Sequence, residues 1–316
     1  MLRRLCFFTL IVVFAWPLLA SSAEKVKISY SSVDMAFLLG AIAERRGSFK
    51  EEGLEVELIR ARADVSVKAL VSGDLDYTLI FGSVLQAAAK GLPLKVVMTS
   101  LNRPLHFLIS KPGIKTVKDL KGKTIAVSSF GATAERLTRI MLKREGLDPE
   151  KDVKLIALGE PKARLVGLQH GLVDATVASP PGHIEAEKLG FNILANAAES
   201  LELPFTGLGT SDRKLKENPA EVKKVIRALI KAGRFAREDR EGTIRIIGDW
   251  LKLDREAATS SYDAFRPAVS PNGGTTPEAL RLVLNLAQEE RAEAVPLNKV
   301  SDFKLLLEVQ QEMRLQ

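Results

Sequence analysis

Hydrophobic and polar positions alternate in short blocks along most of this chain, and the blocks come in a fixed order. Residues 26–30 read as a strand, followed by a polar loop with Ser31, Ser32 and Asp34. The spacing of Phe37, Leu38, Ala41 and Ile42 then predicts a helix over about 35–46 that buries those side chains and ends at Gly47. Residues 49–54 read as a turn into a strand over 55–60, where Val56 and Leu58 alternate with charged neighbours. Asp64 caps a short helix that stops at Gly73, and Asp76 opens an apolar strand over 77–80. Strands flanked by helices in this way pair in parallel.

The same order returns about 97 residues later. Lys27-Ile28-Ser29-Tyr30-Ser31-Ser32 is answered by Thr124-Ile125-Ala126-Val127-Ser128-Ser129, and Leu70-Val71-Ser72-Gly73-Asp74-Leu75-Asp76 by Leu168-Gln169-His170-Gly171-Leu172-Val173-Asp174. Apolar runs follow the second pair as far as Ser83 and Ser179. In the later unit a helix is predicted over about 134–145, and another starts at Pro161 and stops at Gly171. Two such α/β units form two lobes around a cleft, and ligands bind at the carboxyl ends of strands in α/β sheets. The loop from Ser128 and Ser129 through Phe130 to Thr133 has small residues that let backbone N–H groups at a helix start approach an oxyanion or carbonyl. Paired with Ser31 and Ser32, it is the candidate ligand clamp; plain N-capping by these hydroxyls is the alternative.

Two crossings join the units. The strand pattern over 94–101 gives way at 102–106 to another over 107–110, so the chain leaves the first lobe near Arg103. It returns after a strand over 191–194, through Leu203-Pro204-Phe205-Thr206-Gly207, whose proline and glycine suit a joint. Two linkers make a hinge. From Asp212 onward the pattern is almost entirely helical, with a long helix starting after Asn218-Pro219 and expected to pack on the first lobe. The expected division is residues 24–104 with 206–316 as one lobe and 105–205 as the other.

The first 23 residues change the picture of where this happens. Arg3 and Arg4, an apolar stretch over 5–19 and Ser21-Ser22-Ala23 have the layout of a secretory signal peptide, with an uncleaved anchor as the alternative. The mature chain is therefore expected outside the cytoplasm, in the periplasm. Cys6, the single cysteine, lies inside that segment, which leaves the remainder without disulfide or thiol chemistry. The formal net charge of +7 includes the two leader arginines, and the rest of the excess is spread over helical positions such as Lys216, Lys223, Lys224, Arg227 and Lys231. Without an arginine-rich run or many aromatics this reads as solvated helix faces, not a nucleic-acid surface. A modest positive excess still favours an anionic ligand. His106, His170 and His183 have no metal-ligand spacing and read as surface residues. No nucleophile elbow, phosphate loop or dinucleotide fingerprint occurs, so neither enzyme, metal nor cofactor is expected.

Gly47-Ser48-Phe49-Lys50-Glu51-Glu52-Gly53-Leu54, Gly73-Asp74-Leu75-Asp76, Leu120-Lys121-Gly122-Lys123-Thr124 and Gly171-Leu172-Val173-Asp174-Ala175 resemble signature segments of one group of ABC-transporter periplasmic solute-binding proteins, the nitrate/sulfonate/taurine type and its thiamine-precursor relatives. The resemblance runs through Asn218-Pro219-Ala220-Glu221 and the 261–271 segment of the tail. It implies an α/β type II periplasmic-binding-protein fold, with two lobes, a double-crossing hinge and a helical C-terminal tail. It also implies a monomer that closes on one small solute and hands it to an ABC importer permease. The family's binding loops fall here on residues 31–35, 81–84, 128–133 and 179–182. With Arg103 from the crossing, the candidate ligand residues are Ser31, Ser32, Asp34, Ser83, Arg103, Ser128, Ser129, Phe130, Thr133 and Ser179.

Departures from the pattern bear on the ligand. The thiamine-precursor binders use several pocket aromatics, whereas the two tryptophans here are Trp16 and Trp250, and the cysteine-rich motif of the related pyrimidine-making enzymes is absent. The expected solute is anionic or acceptor-bearing, with an amine or pyrimidine-like heterocycle as the alternative. Asp34 sits awkwardly with an anion and is read first as a helix-dipole cap. A ligand-sensing module for a membrane receptor has the same signature, and a periplasmic enzyme is the lesser alternative.

Overall fold

The computed structural model describes residues 24–128, 130, 133–159, 161–287 and 295–315. The expected signal peptide, with Cys6, and Ser129 lie outside the described residues. The described part forms two five-stranded sheets. The first holds β1 (Glu24–Tyr30), β2 (Leu54–Arg60), β3 (Tyr77–Thr78) and β4 (Leu94–Leu101). The second holds β5 (Phe107–Ser110), β6 (Thr124–Val127), β7 (Lys154–Ala157), β8 (Ala175–Ala178) and β9 (Asn192–Asn196), and β10 (Thr206–Ser211) returns to the first. The strand orders are β2-β1-β3-β10-β4 and β7-β6-β8-β5-β9. β1 pairs in parallel with β2 and β3, and β6 with β7 and β8, as helix-flanked strands should. The strand that enters each lobe from a crossing, β5 or β10, inserts antiparallel as the fourth strand.

The sequence repeat is therefore a repeat of sheet topology, and its Gly-x-x-Asp segments do the same job twice. Gly73 and Gly171 take left-handed backbone (φ 91° and 75°) at the ends of helices Ala63–Ser72 and Pro161–Gln169. Three residues on, Asp76 accepts the Lys27 N–H at 2.8 Å and Asp174 the Thr124 N–H at 3.0 Å, each tying the loop to the neighbouring strand. A lysine just beyond the antiparallel strand completes each: Lys214 lies 2.6 Å from Asp76 and Lys111 3.1 Å from Asp174. In the first lobe Lys214 also reaches Glu221 at 2.9 Å, which accepts the buried Tyr77 hydroxyl at 2.8 Å.

Several elements differ from their reading in sequence. Residues 49–54 are not simply a turn, because Ser48–Glu51 is a short helix after left-handed Gly47. The strand at Tyr77 is two residues long and passes into helix Phe81–Ala89. The returning joint is the largest difference, since Thr206–Ser211 is a wholly buried strand. A Cβ at Gly207 would stand 2.1 Å from the Met98 carbonyl oxygen and one at Gly209 2.6 Å from Val84, so this strand needs glycines where a strand usually shows bulk.

The tail packs as expected on the first sheet. Helix Pro219–Glu238 places Val222, Ile226 and Leu229 in one apolar cluster with Val26, Ile28 and Leu38. Its cations are paired: Lys224 with Glu24 at 2.9 Å, Arg227 with Glu52 at 2.7 Å, and Lys231 with Glu51 at 2.9 Å and Glu52 at 2.8 Å. Burial works against the Glu52 charge, yet hydrogen bonds from Lys231 and Arg227 hold its carboxyl below the usual range. Among the described residues no helix is long and apolar enough to cross a membrane.

Candidate functional site

A cavity of about 290 Å3 lies where the two sheets present their carboxyl edges to one another. Three local structures build its first wall. β1 ends at Tyr30, which delivers Ser31 and Ser32, and Asp34 then opens a single 3-10 turn, Met35–Phe37, that runs into helix Leu38–Arg45. Helix Phe81–Ala89 begins directly after β3 and contributes Phe81, Ser83 and Gln86. From the second lobe comes helix Thr133–Arg144, with Thr133, Arg136 and Leu137 on the cavity. The return crossing supplies Leu203 to Thr206 as the floor, and Val283 of helix Pro277–Ala287 closes one side while packing against clusters of both lobes.

Asp34 and Arg136 are the charged side chains on this lining. The Asp34 carboxylate accepts the Ala36 N–H at 2.8 Å and the Ser32 hydroxyl, which is N-capping in the ordinary sense. Burial raises the Asp34 pKa above the usual carboxylate value, against the opposing effect of those two hydrogen bonds. Ser29, one residue before the end of β1, holds the wall from behind: its hydroxyl is hydrogen-bonded with those of Thr78 at 2.8 Å and Ser66 at 3.0 Å, all buried. Beside the hydroxyl residues and Gln86 the lining is apolar, with Phe37, Phe81, Phe205, Ile80, Leu137 and Leu203 among it. The site thus offers hydroxyls and one guanidinium within an aromatic and aliphatic wall. Such a mixture holds one small molecule by a polar end.

Of the residues singled out in sequence, the structure brings Ser31, Ser32, Asp34, Ser83 and Thr133 onto this cavity. Of the others, Ser129 lies outside the described residues and the rest do not line the cavity. Arg103 donates to the Ala198 carbonyl at 2.8 Å and lies 4.0 Å from Glu202, so it braces the crossing and neither lines the cavity nor pairs with Asp34. Ser128 and Ser179 directly follow β6 and β8 at the same sheet edge; the Ser128 carbonyl accepts the Gly159 N–H just past neighbouring β7, the Ser179 carbonyl accepts the Gly182 N–H in its own turn, and neither residue lines the cavity. Phe130 is 61% exposed and does not line it.

Arg136, Phe205, Thr206 and Gln86 escaped the sequence reading. Arg136 was within reach, being three residues after Thr133 and hence on the same helical face. Thr206 was hidden in a segment read as a linker. Two of the three histidines also differ from expectation, whereas His170 is exposed. His183 is buried and stacks on Phe107 at 4.1 Å, and burial holds its pKa down at about 4. His106 meets Phe205 edge-on at 5.5 Å, with its pKa lowered to about 4 by burial and then by the Arg164 charge.

Two α/β lobes of matching topology, joined by two crossings over a shared cavity, define the type II periplasmic-binding-protein fold. Residues 36–242 match the family described as NMT1/THI5 like, and the chain belongs to that family. It is similar to the riboflavin-binding protein RibY of Chloroflexus aurantiacus, 29% identical over 198 residues, 60% of this chain and 56% of RibY. The fold is that of the periplasmic aliphatic sulphonate binding protein SsuA from Escherichia coli (TM-score 0.71, 21% identity, covering 84% of this chain and 90% of SsuA). It is also that of the periplasmic nitrate-binding protein NrtA from Synechocystis PCC 6803 (TM-score 0.70, 15% identity, 92% of this chain and 89% of NrtA).

Proposed function

We propose that this protein is a periplasmic receptor, not an enzyme, that closes on one small amphiphilic anion and delivers it to an ABC importer permease. The solute class that fits best is a short aliphatic sulfonate. The observation that carries this reading is the lining of the interlobe cavity, where Arg136 and the hydroxyls of Ser31, Ser32, Ser83 and Thr133 share about 290 Å3 with aromatic and aliphatic side chains. A guanidinium with hydroxyl donors suits an oxyanion. Nitrate alone would leave the apolar wall unused, and a flavin is large for a cavity at the low end of small-molecule sites. The aliphatic sulphonate binding protein SsuA and the nitrate-binding protein NrtA, both periplasmic, share the fold, which supports this reading.

In this reading the lobes, residues 24–104 with 206–316 and residues 105–205, rotate about the crossings at 102–106 and 203–207. The Leu203 N–H donates to the Asn102 carbonyl and the Phe205 N–H to the Leu101 carbonyl, both at 2.8 Å, so the two linkers are laced together and bend as one. The protein acts as a monomer. Calorimetric titration of the mature protein with butane-1-sulfonate, nitrate and riboflavin tests the class, and small-angle scattering tests closure. Butanesulfonate is expected to bind with a fall in radius of gyration at saturation. Binding of riboflavin alone would overturn the solute class, and binding without compaction would overturn the hinge.

A further inference from the structure

Buried hydroxyls cost stability when they lack a partner, so each one on a cavity wall needs a reason. Several buried polar side-chain atoms lack a partner among the described residues, and the one carried by a residue of the interlobe cavity is Thr206 Oγ1. Thr206 is 4% exposed and is the first residue of β10, paired with Leu101 of β4. The register shifts directly after it, between Thr206 and Gly207. Such irregularities re-aim side chains beside binding sites. The backbone there is pinned, because Gly207 presses so closely on the Met98 carbonyl and the Phe81 ring that a Cβ would stand 2.1 and 2.8 Å from them. Phe205, the preceding residue, also lines the cavity and is tied to Leu101 by its N–H. The chain has therefore fixed a threonine at the floor of the cavity, where both crossings meet, and left its hydroxyl unpaired.

Valine has the same shape and no polar atom to bury, so folding alone favours valine at this position. We propose that Thr206 determines specificity from the hinge: its hydroxyl donates a hydrogen bond to an acceptor oxygen of the bound solute, after a χ1 turn into the cavity. The hydroxyl is buried, so the bond is available to a solute that fills the floor and not to one held at the cavity mouth. Selection for an acceptor at the solute's inner end follows, and so does a link between occupancy and the crossings. This rests on the cavity being the solute site.

The test combines thermal unfolding of the solute-free protein with titration of butane-1-sulfonate, on wild type, Thr206→Val, Thr206→Ala and Thr206→Ser. Thr206→Val is expected to unfold at the same temperature as wild type or higher, and yet to bind butanesulfonate about tenfold or more weakly, the loss of one buried hydrogen bond. Thr206→Ser should keep most of the affinity, and Thr206→Ala repeats the loss should valine disturb folding. Wild-type affinity in both Thr206→Val and Thr206→Ala overturns this inference and leaves the proposed function standing. Failure of the wild type to bind butanesulfonate overturns the solute class and this inference together.

Discussion

Replacing Asp34 by asparagine separates the two solute classes most cleanly. Asparagine caps helices about as well as aspartate, so the Ala36 N–H and the Ser32 hydroxyl keep an oxygen to donate to, and stability should change by about 0.5 kcal/mol or less. What changes is charge. A sphere of 290 Å3 is about 8 Å across, which sets the separation between Asp34 and an anion held on the opposite lobe at Arg136. Two like charges at about 8 Å repel by about 2 kcal/mol at an effective dielectric constant of about 20, and by about 0.5 kcal/mol in water. Removing the carboxylate should therefore tighten butanesulfonate binding by about 2-fold to 30-fold at neutral pH.

Acid gives an internal control. The Asp34 pKa is raised by burial, so lowering the pH neutralises this group before ordinary carboxylates. A sulfonate stays ionised throughout. Wild-type affinity should rise as the pH falls through that raised value, and the Asp34→Asn protein should show no such rise. Stability follows the same sign, because the folded state binds a proton more readily here than the unfolded chain; this group's contribution falls as pH rises from the unfolded to the folded pKa. Calorimetric titration across the acid range is the assay. A tenfold or greater loss of butanesulfonate affinity in Asp34→Asn would refute the reasoning, since it would mean that the carboxylate itself holds the solute, as it would an amine or ring N–H.

Two further substitutions probe the scaffold and not the site. Asp174→Asn should cost about 1 to 2 kcal/mol in chemical denaturation, through the Thr124 N–H and Lys111 contacts, while leaving solute affinity unchanged, because Asp174 precedes β8 and the cavity lies past the other end of the strands. Burial opposes its ionisation, but the Thr124 and Lys111 bonds hold the carboxyl below the usual range, so this stability is present above the unfolded pKa and lost as pH falls through the folded one. Buried His183 has a folded pKa of about 4 against an ordinary 6.5, so the unfolded chain binds its proton first and stability is lost as pH falls across that interval. His183→Leu should flatten the melting-temperature profile there; an unchanged slope would assign the acid sensitivity to another group.

Hydrophobic spacing made the regular elements legible because their apolar positions follow a period. Strands β4, β5 and β6 and helix Pro161–Gln169 stand where the pattern places them. β10 was illegible for a physical reason: Thr206-Gly207-Leu208-Gly209-Thr210-Ser211 has one bulky apolar residue in six, since its neighbours Met98, Phe81 and Val84 occupy the space that its side chains would fill. The hydroxyl loops of the first lobe were legible as strand ends followed by helix starts. Their partners in the second lobe were misplaced, because Ser128 and Ser179 have the right position in the strand pattern yet do not line the cavity. No periodicity carries that distinction, which depends on where the facing lobe stands.

The repeat also bears on where selectivity would reside in the proposed receptor. Elements that match across the repeat, such as Asp76 with Asp174 and Lys214 with Lys111, make the same contacts in both lobes and so cannot tell one solute from another. Recognition needs the positions where the copies part. At the offset of about 97 residues the counterpart of Arg136 is Leu39, which is 4% exposed in the core of the first lobe, and the counterpart of Thr133 is Ala36, whose N–H is capped by Asp34. One copy of the helix thus puts a core leucine where the other puts an arginine on the cavity wall. Thr206 belongs to neither copy's loop but to the strand that closes the first sheet. A solute read by Arg136 on one side and Thr206 below is read by the two features that the duplication did not supply.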